Sequence, residues 1–248
     1  MNDHDPTGPR HDHALVDQDV HVWRFPLDLD EARLGEFEPT LSDEERARAD
    51  RFRGASLRRR FVAGRGTLRL ILAGYIGIAP ARVAFTYGTR GKPGLARPMG
   101  LEFNLAHSGG LAYCALAWRR AIGVDVEAVR PMDNAERIIG RYFTPREQAE
   151  FLAYPGAERL AAFYRGWTRK EAFLKATGEG LAASLDSFEV SLGADPGPPR
   201  SLLVRAGTDP HEAGRWTLRD LDAPIGFTAA LAVAGQPGRI VVRDRDDG

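Results

Sequence analysis

Four candidate strands late in the chain, near residues 187–192, 201–205, 215–221 and 226–234, follow one another with no helix between them. Parallel neighbours in a sheet need a crossover of a dozen or more residues, usually a helix. The run therefore points to antiparallel pairing and an α+β fold rather than a parallel sheet. The first half has a similar rhythm. "VHVWRFPL" (20–27) reads as a strand, and "LSDEERARADRF" (41–52) as a helix opened by Ser42 with Glu45 three residues on, the capping-box pattern. A second helix is expected from about Ser56 to Gly77, with Leu57, Phe61, Leu68 and Leu72 on its apolar side. "RVAFTYG" (82–88) and "LAYCALAW" (111–118) read as strands separated by the turn-rich "GTRGKPG". After them come a strand in "AIGVDVEAV" (121–129) and helices at about 133–141, 144–154 and 158–177. The middle helix carries Thr144 as N-cap, Pro145 at its first position and Glu147 at its third. The expected organisation is a disordered tail at 1–18, one α+β subdomain at 19–120, a second at 121–240 and a tail at 241–248.

Composition narrows the partners. Lys plus Arg and Asp plus Glu both number 34, and this zero net charge argues against a nucleic acid backbone as main partner. No run approaches the roughly 18–20 apolar residues that span a bilayer. The polar start, with His4, His11 and His13, is unlike a secretory signal and reads as a floppy tail rather than a metal site. A single cysteine, Cys114, sits among apolar residues and permits no internal disulfide, so a cytoplasmic protein is expected.

The chain has only three lysines, Lys92, Lys170 and Lys175, and two of them bracket Glu171 in "GWTRKEAFLKATGEGL". Arginine is a planar fork and lysine a compact point charge, so each retained lysine is mildly informative. In the helix over 158–177, Leu160, Phe163, Trp167 and Leu174 form the inward stripe, and Glu171 lies on or beside it. An ordinary Glu171–Lys175 pair at i,i+4 is the plain alternative, yet a carboxylate among bulky apolar groups is costly to bury without a cation.

In "IGVDVE", Ile122, Val124 and Val126 share one face of the strand while Gly123, Asp125 and Glu127 share the other. Asp and Glu are depleted in strands, and two carboxylates about 7 Å apart at their Cα atoms invite a hard cation such as Mg²⁺. Gly123 is expected to leave room there for a ligand. A half-exposed strand with polar residues outward would look the same. In "FNLAHSGG" (103–110), His107 and Ser108 precede two glycines that let backbone N–H groups approach an anion, although a polar turn or an oxyanion loop would also fit. Nine arginines between Arg46 and Arg69 form either a solvated face or a patch for phosphate or an acidic protein.

Together these segments resemble the 4′-phosphopantetheinyl transferases of the larger, surfactin-synthetase-activating type. "FNLAHS" resembles the family's (F/W)N-x-(S)HS loop, "IGVDVE" its (I/V)G-(I/V)D-(I/V)E strand, and "WTRKEAFLK" its W-(S/T)-x-KE-(A/S)-x-x-K helix, in the family's order. The resemblance runs from the arginine-rich helices to about residue 190. It implies a cytoplasmic monomer of two pseudo-symmetric α+β halves with coenzyme A in the cleft between them. It also implies transfer of the phosphopantetheine arm to a serine of an acidic apo acyl or peptidyl carrier protein, with release of 3′,5′-ADP.

By the same resemblance, Asp125, Glu127 and Glu171 would hold Mg²⁺, or Mn²⁺, with the coenzyme A diphosphate. Lys92, His107 and Ser108 would bind coenzyme A, Arg48 and Arg60 would lie near its 3′-phosphate, and Lys175 would help neutralise the reacting phosphoryl group. Glu171 or a metal-bound water would take the serine proton. Lys170 matches the motif without an evident chemical role. Ala106 departs from the family's usual serine, and Glu179 stands where relatives often carry a basic residue. The carrier is expected to dock across 132–143 and the first arginine-rich helix. Two rival readings are an Mg²⁺-dependent hydrolase of nucleotide diphosphates and a silent coenzyme A or carrier-binding protein.

Overall fold

Capping fixes where several helices start. In the computed structural model, which describes residues 15–97, 99–178, 185–198 and 201–245, Ser42 Oγ accepts the Glu45 N–H and Glu45 Oε2 accepts the Ser42 N–H, opening α2 (Asp43–Asp50). Thr144 and Glu147 do the same for α5 (Pro145–Ala153). A short helix, α1 (Glu31–Phe37), was not anticipated. Asp30 caps it, and it buries Leu34 and Phe37. The two long helices, α3 (Ala55–Ile76) and α6 (Gly156–Thr177), each have 22 residues, and each ends on a left-handed glycine, Gly77 at φ 67° and Gly178 at φ 73°. Leu68 and Leu72 of α3 are buried as expected, whereas Leu57 in its first turn is 58% exposed, because that turn stands clear of the core. The first helix of the second half, α4, spans Ala135–Tyr142.

The strands form two main sheets. The first holds β1 (Val20–Pro26), β4 (Leu101–Ser108), β5 (Leu111–Trp118) and β11 (Ile240–Asp244) in the order β11-β1-β5-β4. The second holds β6 (Ile122–Ala128), β9 (Trp216–Leu221) and β10 (Phe227–Ala234) in the order β6-β10-β9, all antiparallel. Two small ribbons pair β2 (Phe85–Tyr87) with β3 (Pro93–Leu95) and β7 (Phe188–Val190) with β8 (Leu203–Ala206). The late strands are antiparallel, as their spacing required, and the α+β class stands.

Alternation along the strands builds the layers. Trp23, Phe25, Phe103, Cys114 and Leu116 face α3, packing on Leu68, Ile71 and Leu72. Val20, Val22, Tyr113 and Ala115 face the other way and meet Ile122, Val124 and Val126 of the second sheet. The far side of that sheet, with Leu218, Ala230 and Ala232, packs on Ala172, Phe173 and Ala176 of α6. The result is a helix–sheet–sheet–helix sandwich, with α4 and α5 closing a fourth cluster around Phe143, Phe151 and Phe163.

Two edges differ from expectation. The segment assigned to a tail from residue 241 runs as β11 through Asp244, parallel to β1 with Val20 opposite Ile240, and Arg24 clasps Asp244 at 2.6 Å. The tail expected through residue 18 is tied down from Leu15 on, whose carbonyl accepts the Trp118 indole N–H at 3.0 Å. His4, His11, His13 and Glu179 lie outside the described residues. Among the described residues no helix is long and apolar enough to cross a membrane.

Gly123 also has a different use from the one its sequence context suggested. Instead of opening space for a ligand, it admits the backbone of α6. A β-carbon at Gly123 would run into the Ala172 carbonyl oxygen and the Ala176 nitrogen, with the Lys175 carbonyl carbon at 2.8 Å. Ala232 stands opposite Gly123 on β10, and Ala230 opposite Asp125, so small residues pave the track on which the helix lies. Gly123→Ala is expected to destabilise the fold by about 1–3 kcal/mol or more, because helix backbone cannot yield as a side chain would. Chemical denaturation followed by circular dichroism reads this directly, and a wild-type midpoint would remove the close-packing account.

Candidate functional site

The close approach of α6 to β6 decides what the polar face of β6 meets. Asp125 is buried at 4% exposure, and Lys175 on α6 reaches it, Nζ to Oδ1, at 2.5 Å. Its second oxygen, Oδ2, is buried with no hydrogen-bond partner. Burial pushes the Asp125 carboxyl up to about 7; Lys175 opposes the rise, and the nearby charges of Glu127 and Glu171 add to it. Glu171, one turn before Lys175 on α6, is half-buried, and its carboxyl is also raised, chiefly by burial and further by Glu127, against the pull of Lys175. The three carboxylates therefore share one electrostatic neighbourhood.

The end of β4 (Leu101–Ser108), where the sequence suggested a loop, reaches the same carboxylates. Ser108 Oγ donates to Glu127 Oε2 at 2.8 Å and accepts the Ala128 N–H at 3.1 Å. Partial burial, with Lys175 and Arg60 nearby, lowers the His107 imidazole below its ordinary value. Arg60 itself grips Asp28 through two bonds of 2.6 and 2.7 Å, and the Gly110 backbone packs against that pair. The arrangement is an acidic floor holding one lysine, with a histidine and an arginine at the rim. Such a site suits an anion that arrives with a cation.

Residues 121–228 match the family described as the 4′-phosphopantetheinyl transferase superfamily. The chain is 44% identical to the 4′-phosphopantetheinyl transferase HetI of Nostoc sp. over 225 residues, covering 90% of each protein. It is also 34% identical to the 4′-phosphopantetheinyl transferase psf-1 of Bacillus pumilus, over 68% of this chain and 72% of that one. With the 4′-phosphopantetheinyl transferase Sfp of Bacillus subtilis it shares 31% identity, over 62% and 68% of the two chains. The chain belongs to the 4′-phosphopantetheinyl transferase superfamily.

Members of that family take phosphopantetheine from coenzyme A and pass it to carrier proteins, and the fold of this transferase brings together only part of the set its motifs predict. Asp125, Glu127, Glu171, Lys175, His107 and Ser108 gather around the β6–α6 contact. Lys92 borders a separate cavity of about 550 Å³ with Arg90 and Arg119. It donates to the backbone carbonyls of Lys175 at 2.6 Å and Ile122 at 3.0 Å, bracing the end of α6 against the start of β6. Arg48 lies over the Phe61 ring at 5.3 Å and borders a cavity of about 570 Å³ with Arg51, Arg65, Arg69 and Arg82; neither Arg60 nor His107 lines it. Of the nine clustered arginines, Arg46, Arg58, Arg59, Arg60, Arg65 and Arg69 hold carboxylates, which leaves much less unpaired positive charge than the bare sequence implied. Ala106 faces the core between the sheets and is 4% exposed, so this departure from the family pattern adds to apolar packing.

Lys170 now has a role. Its ammonium is fully buried, 2.9 Å from Glu147 Oε1, and donates to the Leu185 and Phe188 carbonyls at 2.7 and 2.9 Å. It is a structural tie among α5, α6 and β7. Asn104 is the residue that chemical reasoning passed over. Buried at 5% exposure, it accepts the Val124 N–H on Oδ1 at 2.9 Å. Its fixed place in "FNLAHS" was the available signal.

Among the described residues no three His, Cys, Asp or Glu side chains are arranged as a ready metal cage, since Lys175 occupies one oxygen of Asp125. The donor chemistry nevertheless fits a hard divalent cation. Mg²⁺ takes one or two carboxylates and completes its shell with water and phosphate oxygens, and the orphaned, buried Asp125 Oδ2 is an oxygen that such an ion would satisfy.

Proposed function

We propose that this site transfers 4′-phosphopantetheine from coenzyme A to a serine of an apo carrier protein, with Asp125, Glu127 and Glu171 holding Mg²⁺, or Mn²⁺, beside the coenzyme A diphosphate. The observation that carries the reading is the buried, unpartnered Asp125 Oδ2 next to Lys175, with the charges of Glu127 and Glu171 raising the Asp125 carboxyl further. The bound cation would supply charge neutralisation at the diphosphate. The serine oxygen attacks the phosphorus that bears the pantetheine arm, the bond from that phosphorus to the bridging oxygen breaks, and 3′,5′-ADP leaves. Glu171, raised by burial, is suited to accept the serine proton. Lys175 is the cation on hand for the developing negative charge, and a mobile ammonium can follow phosphoryl oxygens. His107 and Arg60 line the side from which a further phosphate would be met. An acidic carrier, a cytoplasmic setting and a monomer belong to the same proposal.

A mass measurement tests it. Incubating the protein with coenzyme A, Mg²⁺ and a panel of apo carriers should raise carrier mass by one phosphopantetheine, and omitting the cation should stop the reaction. Cleavage of coenzyme A without any carrier would instead favour the hydrolase reading.

A further inference from the structure

β4 and β6 lie side by side at the seam between the two sheets, yet they share no backbone ladder: β4 pairs with β5 and β6 with β10. An edge buried in that way leaves N–H groups in need of acceptors. Side chains of β4 supply them. Asn104 Oδ1 takes the Val124 N–H and Ser108 Oγ takes the Ala128 N–H, each across 20 residues of sequence, so the strands run parallel and in step through side chains. Asn104, Ala106 and Ser108 form the face of β4 that serves this seam, while Phe103 and Leu105 point to α3. Asp125 and Glu127 sit between the two tie points.

A serine hydroxyl has a single hydrogen to donate. At Ser108 it goes to Glu127 Oε2, and the Ala128 N–H fixes the position of the oxygen that donates it. Among the described residues Glu127 Oε1 has no hydrogen-bond or ion-pair partner. We infer that Ser108 is a positioning residue for the cation-binding carboxylate of Glu127, rather than a hydroxyl donor to coenzyme A, and that Asn104 anchors the same strand on the other side of Asp125. The inference rests on the reading of Asp125, Glu127 and Glu171 as a cation site. Partners that orient a metal-binding carboxylate typically account for 10–100-fold in metal affinity. One hydrogen bond from β4 therefore couples the His107 end of the first sheet to the carboxylates of the second.

The test is Mn²⁺ binding followed by electron paramagnetic resonance, with coenzyme A present and no carrier, so that no turnover occurs. Ser108→Ala should weaken Mn²⁺ binding by about 10–100-fold. Ser108→Thr, which keeps the hydroxyl, should restore it. In steady-state assays the alanine variant should raise the cation concentration needed for half-maximal rate and leave the KM for coenzyme A near wild type. Unchanged Mn²⁺ affinity with a raised coenzyme A KM would overturn the inference and return Ser108 to the coenzyme. Equal loss of metal affinity and thermal stability in both variants would reduce Ser108 to a structural tie. Glu127→Gln separates this failure from failure of the cation site: if it binds Mn²⁺ normally, the site reading itself is wrong.

Discussion

Lys170→Met is expected to lower the free energy of unfolding by about 3–5 kcal/mol, because it leaves the Glu147 carboxylate buried without its counter-ion. Glu147 is 1% exposed and its other partners are the Thr144 and Val190 N–H groups, so it has no route to solvent. Against a typical total of about 5–15 kcal/mol, the loss is a large fraction of the whole. Glu147→Gln probes the same pair from the other side, leaving an ammonium among two carbonyls and the rings of Phe143 and Phe188. Burial already lowers the Lys170 pKa below its ordinary 10.5, and Glu147 counters that shift. When folding depresses a lysine pKa, the unfolded chain binds more protons between the two values, so stability rises with pH across that window. The deficit of Glu147→Gln should therefore shrink as pH rises toward 10.5. Urea titrations at two pH values would show it, and a pH-independent deficit would mean that the ammonium does not feel its burial.

Asp125→Asn should have the opposite signature, with activity lost and stability kept. Removing one charged group aimed at a phosphoryl-transfer centre costs on the order of 10²–10³ in turnover, and more where a cation is lost with it. Excess Mg²⁺ should not rescue the variant. The fold should stay as stable or gain, because Asp125 carries a burial penalty and stands beside Glu127 and Glu171. The sign follows from the raised pKa. Above the unfolded value of 3.8, ionising Asp125 costs the native state, and the amide removes that cost. Lys175, 30% exposed, can turn to water once its partner is neutral. Calorimetry alongside the carrier mass assay separates the outcomes; unfolding of the variant would make Asp125 a structural residue.

What could be read from the chain, and what could not, follows the range of the interactions. Period-two alternation in "IGVDVE" placed Asp125 and Glu127 on the side that meets α6, and the two capping boxes started α2 and α5 as spaced. These are local rules, settled within a few residues. Lys92 and Lys170 sit in motif positions, but their partners are backbone carbonyls and a carboxylate brought near only by folding, so residue type alone could not tell a tie from a ligand. Gly123 failed for the same reason: whether an absent side chain makes room for a ligand or for a helix depends on what packs there. β11 was hidden because the charged run "RDRDD" begins inside it; Arg243 and Asp244 are accommodated because an edge strand needs only one paired side.

That last strand has a consequence for biosynthesis. One of the two edges of β1 is covered only by residues synthesised 220 positions later. A chain emerging at about 5–20 residues per second would carry an unpaired, apolar strand edge for some 10–40 seconds before its partner exists. An exposed edge of that kind is a template for pairing with another chain. In this protein the hazard is greatest on the ribosome, where nascent copies lie close together, and truncations that remove Ile240–Asp244 should surface as aggregates rather than as enzymes with an altered site.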